Sequence, residues 1–280
     1  MKKIGSILLA ALLLLFALVS CGGPAESQKL KVIDIPLTEE EYAFAVKKGD
    51  AELLASVNAF LATIQENGEF EKVLDRYFKG GTPVGVASAA EDASKDQIVI
   101  ATNAAFAPFE YKTGDTYYGV DMEIMKMYAD SVGKELVINN MEFASVCTSV
   151  AEGMCDIAAS GLTVTDVRKE TLDFTTSYYN ASQMIITKES DTQFDACKTA
   201  DDVIAVLNAL PASTKVGVQD GTTGMFFVKG DEDWGFDGFK VECVPYEAGA
   251  LAAQNILNGN VAFVVIDEMP AKSIVASLND

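Results

Sequence analysis

From Ile98 to the end of the chain, short apolar runs alternate with stretches of helical spacing. Ile98-Val99-Ile100-Ala101-Thr102, Leu136-Val137-Ile138, Ile157-Ala158-Ala159, Lys215-Val216-Gly217-Val218-Gln219, residues 239–244 and residues 261–266 each read as a short strand. Helix-length segments follow most of them. That rhythm predicts an α/β fold with mixed, mainly parallel sheets flanked by helices. In such sheets ligands bind beyond the carboxyl ends of the strands. The loops after these runs are therefore where binding residues are to be sought.

A chain of 280 residues can build one large or two modest domains. Its hydrophobic share of 49% and charged share of 22% are globular values. A net charge of −20 opposes nucleic acid and anionic lipid surfaces as partners. The chain has no histidine. That removes the commonest general base and metal ligand. No spacing suited to a metal is present, and no cofactor is implied.

Met1-Lys2-Lys3 is a basic start, and the run from Ile4 to Val19 is apolar apart from Gly5 and Ser6. It is short for a membrane span and suits the core of a signal peptide. Leu18-Val19-Ser20-Cys21-Gly22 resembles a bacterial lipobox, with Cys21 lipidated and residues 21–29 as a tether; the alternative is an ordinary signal peptide over residues 1–20 with a chance cysteine. Residues 30–35 alternate as a strand, Pro36 breaks it, and 42–46 form a second apolar run. Residues 51–65 carry Leu53, Leu54, Val57, Phe60, Leu61 and Ile64 on one helical face, and Phe70 to Phe78 mark a second helix. Residues 80–97, rich in Gly, Ala, Ser and Asp, read as a linker.

The stretch after Ile157 carries the clearest candidate chemistry. Gly161, without a Cβ, allows close approach to the backbone. Thr163 offers a hydroxyl and a backbone N–H, and Thr165 suits the N-cap of a short helical turn. Arg168 offers a planar fork for a carboxylate. It is one of only two arginines, with Arg76, in a chain that otherwise uses lysine. Either it is an ordinary solvated side chain, or its geometry is used.

Ser160-Gly161-Leu162-Thr163-Val164-Thr165, then Arg168-Lys169 and Asp173-Phe174-Thr175-Thr176-Ser177-Tyr178-Tyr179, resembles the central signature of type 2 periplasmic solute-binding proteins. More narrowly it resembles the polar amino-acid receptors of ABC importers. The resemblance implies a two-lobed fold that captures a small amino acid. It implies Ser160, Gly161, Thr163 and Arg168 at the ligand, with Asn103, Phe106 and Phe143 from the first lobe. Gln219, Thr222, Thr223 and Asp267 would face them from the second. Arg168 and Thr163 would take the ligand carboxylate, and Asp267 its ammonium. Asp267 is otherwise a helix N-cap, and Phe106 and Phe143 are otherwise plain core. Asn103 stands where relatives often carry Asp, which disfavours a basic ligand.

Residues 30–79 resemble the C-terminal end of the same family, yet here they come first. The resemblance therefore implies a circular permutation. Lobe I would be 46–79 and 98–186, lobe II 30–45 and 187–280, and residues 80–97 would join the original termini. The alternative is an N-terminal fragment fused to a truncated receptor. The implied protein is a lipid-anchored, extracytoplasmic monomer serving an ABC permease and its ATPase. An enzyme on the same fold, dehydratase-like, is disfavoured by the missing histidine and by the lack of a carboxylate beyond Asp267 in the candidate loops. A sensor docking on a signalling partner is the third reading. Cys147, Cys155, Cys197 and Cys243 are either paired in disulfides or buried thiols.

Overall fold

The computed structural model describes residues 28–280. The signal peptide, Cys21 and most of the tether expected from the sequence lie outside the described residues. Two five-stranded mixed sheets organise the chain. The first runs, in spatial order, Leu30–Ile33, Gln183–Lys188, Phe263–Asp267, Lys215–Gln219 and Glu242–Tyr246. The second runs Leu172–Phe174, Ala45–Lys47, Ile157–Ala158, Gln97–Thr102 and Glu135–Asn140. Helices flank both sheets, so the architecture is the two-lobed α/β fold of periplasmic binding proteins.

The segment before residue 80 is woven into both sheets. Leu30–Ile33 pairs antiparallel with Gln183–Lys188, placing Leu30 opposite Lys188. Ala45–Lys47 is an interior strand, held between Leu172–Phe174 and Ile157–Ala158. Its residues Ala45 and Val46, and Phe44 just before them, have no exposed surface. The helix Ala51–Glu66 buries Val57, Leu61 and Ile64 at helical spacing, and Glu69–Phe78 buries Phe70 and Val73. Arg76 on that second helix pairs with buried Glu123 on the helix Val120–Ser131. The chain's second arginine thus also has a geometric use.

Glu40–Tyr42 and Tyr179–Ala181 form a separate two-stranded ladder where the chain crosses between the sheets. Beside it, Tyr42 bridges to Thr163, and Ala43 N–H donates to Leu162 O at 3.1 Å.

Two local expectations are corrected, and one helix gains its bounds. The strand expected at 239–244 lies at Glu242–Tyr246. The Phe239 ring instead packs edge-on against Phe227 at 5.2 Å, and Pro245 is accommodated because this strand is at the sheet edge. The helix-length segment after residues 261–266 begins at Glu268 and holds Pro270 in its first turn, where proline is tolerated. Residues 80–97 are not a free tether. Val86 is 2% exposed and bridges to Tyr117, and Ala89 N–H donates to Leu136 O at 2.8 Å. Val86 supplies the apolar anchor that the small-residue composition concealed. Cys147, Cys155, Cys197 and Cys243 are all free thiols. Among the described residues no helix is long and apolar enough to cross a membrane, and no group of side chains could hold a metal.

Candidate functional site

The turn after Ile157–Ala158 folds as its residue types dictate. Thr165 Oγ1 accepts from Arg168 N–H at 3.2 Å and caps the short helix Asp166–Lys169. That cap turns Arg168 inward, where it is 6% exposed. Its Nη1 donates to Thr163 O at 2.7 Å, and its guanidinium lies 5.5 Å from the Phe143 ring centre and 5.1 Å from that of Trp234. Among the described residues it has no carboxylate partner within ion-pair distance. Burial pulls its pKa below the ordinary arginine value. An anion beside it would relieve that cost.

Phe106, Phe143, Gly161, Thr163 and Arg168 form one wall of a small cavity between the sheets. Gln219, Thr222, Thr223 and Asp267 form the other. The space between them is about 10 Å³, room for about one water. Gly161 has φ +48, and a Cβ there would come within 3.0 Å of the Phe106 ring. Its permissive backbone therefore admits Phe106 close to the chain. Its N–H is held by Asp121 Oδ2 at 2.9 Å.

Asp267 closes the strand Phe263–Asp267 and precedes a helix, but its side chain makes no capping hydrogen bond. Instead Tyr42 OH donates to Asp267 Oδ1 at 2.5 Å. Burial first, and then the nearby Glu40 carboxylate, push Asp267 up to about 7. A cation beside it would lower that value again. Asp267 thus lines the cavity while occupying the N-cap position of the helix Glu268–Asn279.

Two candidate residues stand off the cavity. Ser160 is turned into its lobe, where its hydroxyl donates to buried Glu110 Oε1 at 3.1 Å and accepts from Asn103 N–H at 3.0 Å. A buried carboxyl needs such a donor. Asn103 Nδ2 donates to Met141 O at 2.7 Å, so its Oδ1 is the atom that accepts from Gln219 Nε2 at 3.0 Å. Gln219 Oε1 is left buried without a partner among the described residues. The Thr222 hydroxyl donates to Gln219 O at 2.8 Å and caps the helix Thr223–Lys229.

The sequence reading missed Glu40 and Tyr42. Glu40, 8% exposed, contributes a carboxylate bonded to the Thr163 and Thr223 hydroxyls at 2.7 and 2.8 Å. Glu40 lies outside the candidate loops, on the strand Glu40–Tyr42, and so adds a carboxylate that the loops themselves do not supply. The run Glu39-Glu40-Glu41 reads as a solvated charge cluster, and only strand alternation distinguishes its middle member. Glu110 and Asp121 add two buried carboxyls behind Ser160 and Gly161, and burial raises both, Asp121 to about 7.

Residues 98–235 match the bacterial extracellular solute-binding proteins, family 3. The chain is 34% identical over 141 residues to the arginine-binding extracellular protein ArtP of Bacillus subtilis, covering 50% of this chain and 51% of that one. It spans about half the length of the first curated relatives it matches. The arginine-bound, truncated ArgBP of T. maritima superposes with a TM-score of 0.54 at 30% identity, over 66% of this chain and 80% of that one. An ancestral amino-acid-binding protein described as a precursor of cyclohexadienyl dehydratase superposes with a TM-score of 0.55 at 28% identity, over 66% and 75%. The fold, the matched segment and these relatives together place the chain in the family of bacterial extracellular solute-binding proteins, family 3.

Proposed function

We propose that this protein captures a small amino acid between its two lobes and delivers it to an ABC importer. One observation carries the reading: a buried arginine with no carboxylate partner among the described residues and a buried aspartate face the same cavity from opposite sheets. A zwitterion complements both. Arg168 takes its carboxylate bidentately, Asp267 takes its ammonium, and Phe106 covers its side chain. Opening about the two-stranded ladder would part the walls to admit the ligand, and closure would bring them together again. The relatives named above, described as binding arginine or amino acids, support the ligand class.

The chain order is read as a circular permutation of the family's order. Asn279 Oδ1 accepts from Leu30 N–H at 3.0 Å, and Asn279 Nδ2 donates to Leu30 O at 2.9 Å. A short connection there would restore the family's order. The share matched by the solved structures, 66% of this chain, is about the share beyond residue 97, as expected if an alignment in chain order drops the displaced segment. Lobe I is then 46–79 with 98–182, and lobe II is 30–45 with 183–280, because the strand Gln183–Lys188 pairs wholly within the first sheet rather than dividing at 186. Cys21 is read as the lipidated residue that anchors the protein outside the cytoplasm, where it acts as a monomer.

Titration with the twenty amino acids, followed by thermal unfolding, tests the binding reading. A selective rise in melting temperature that Arg168→Ala abolishes is the expected result. A second reading, an enzyme on this fold, draws support from Glu40, a carboxylate beside Asp267. Conversion of the bound compound on prolonged incubation, followed by mass spectrometry, would favour it.

A further inference from the structure

We infer that Glu40 is a positioning residue, a tethered carboxylate that clasps the two lobes together and competes with the ligand for the threonines of the site. The inference rests on the proposed function only in its ligand half. Glu40 lies on the ladder strand Glu40–Tyr42, between the two sheets. Its carboxylate accepts four hydrogen bonds. Oε1 takes Thr38 Oγ1 at 2.7 Å and Gln183 Nε2 at 3.0 Å. Oε2 takes Thr163 Oγ1 at 2.7 Å and Thr223 Oγ1 at 2.8 Å.

The origin of those donors gives the carboxylate its role. Thr163 follows the strand Ile157–Ala158 of one sheet, and Thr223 opens the helix after Lys215–Gln219 of the other. A single oxygen therefore joins a hydroxyl from each lobe. Thr38 and Gln183 fix the opposite oxygen on the side of the first sheet, so the carboxylate cannot swing to follow a departing lobe. Separating the lobes must break at least one arm. Hydrogen bonds to a charged acceptor are among the stronger ones, and these are buried.

Both threonines also line the cavity, and its volume of about 10 Å³ is far too small for an amino acid. With the clasp made, this cavity cannot admit one, although a wider cleft of about 1030 Å³, lined by Glu40, Thr163 and Thr223 among others, lies beside it. A ligand carboxylate at Arg168 would seek the same kind of donors, hydroxyls and N–H groups at Thr163 and Thr223. Glu40 already presents that chemistry from within the chain. Two further contacts follow the same closure: Gln219 Nε2 to Asn103 Oδ1 at 3.0 Å, and Arg168 against Trp234 at 5.1 Å. When only the clasp-free fraction can bind, the apparent dissociation constant rises in inverse proportion to that fraction.

Trp234 is the chain's single tryptophan, and it reports closure without any label. The test compares purified wild type with Glu40→Ala and Glu40→Gln, first without added ligand. The expected result is a red-shifted Trp234 emission and a larger radius of gyration by X-ray scattering in Glu40→Ala, with cooperative melting retained. Emission and radius equal to wild type would overturn the clasp. Should the alanine variant fail to fold, Glu40→Gln, with one acceptor oxygen remaining, is read the same way. L-arginine is the probe for the ligand half. Wild type must first show a shift with it, or with another of the twenty amino acids, which tests the binding reading separately. Removing the clasp should then tighten apparent affinity roughly tenfold or more if the clasp-free fraction is about a tenth or less. Weaker binding by the opened variant would overturn the competition.

Discussion

The hydroxyl of Tyr42 lies 2.5 Å from Asp267 Oδ1, joining residues 225 positions apart. Tyr42 belongs to the segment before residue 80, and Asp267 ends an interior strand of the first sheet. The contact ties the early segment to a carboxylate that lines the cavity, and it leaves the other Asp267 oxygen as the candidate acceptor for a ligand ammonium.

Asp267 gives a pH dependence with a definite sign. Its folded-state pKa is about 7 against an ordinary value of 3.8. Between those values the folded protein keeps a proton that the unfolded chain has released, so this group lowers ligand-free stability as pH rises through that window. Asp121, also at about 7, acts in the same direction. The ammonium of a ligand needs the ionised form, so binding should strengthen over the same range. Melting curves with and without ligand at pH 5 and pH 8 should show the ligand-induced shift growing while the ligand-free melting point falls. Asp267→Asn should raise the ligand-free melting point at pH 8 and abolish the shift.

Arg168→Lys is not a conservative change at this site. Lysine keeps the charge but loses the planar fork and the contact with two aromatic faces. Calorimetric titration should show a loss of about 1.5–3 kcal/mol in binding, the usual size of one hydrogen bond to a charged group. Affinity within threefold of wild type would remove Arg168 from the ligand.

Gly161→Ala tests the close approach of Phe106. The alanine would sit at φ +48, with its Cβ 3.0 Å from the Phe106 ring. The left-handed backbone alone costs about 1–2 kcal/mol. A melting point lower by several degrees and weaker ligand binding are expected.

The permutation predicts that chain order can be restored. Joining residue 280 to residue 30 through a short turn, and opening the chain within 80–97, should give a protein with the same ligand selectivity. Deleting residues 30–79 should abolish cooperative melting, because it removes the interior strand Ala45–Lys47. Persistence of a cooperative melt after that deletion would favour a fusion of separable parts.

Much of the fold was legible because the strands are short apolar runs with clear periods. Leu61 and Ile64 on one helical face, or Val264 and Val265 in an uninterrupted run, state their burial directly. The cavity residues near strand ends were legible for the same reason. Glu40 was not, because burial of one glutamate among three depends on donors distant in sequence, Thr163 and Thr223. Nor could sequence tell that the Ser160 hydroxyl is used by Glu110, since the contact depends on which face the turn presents. Val86 was hidden by its small-residue surroundings.

Thermal unfolding against the twenty amino acids, in wild type and Arg168→Ala in parallel, tests the central claim most directly. A ligand at about a hundred times its dissociation constant should stabilise the protein by about 2.7 kcal/mol, a shift of several degrees in a chain of this size. The account predicts such a shift for one or a few amino acids in wild type and none in Arg168→Ala. A cooperative melt that no amino acid moves would contradict it.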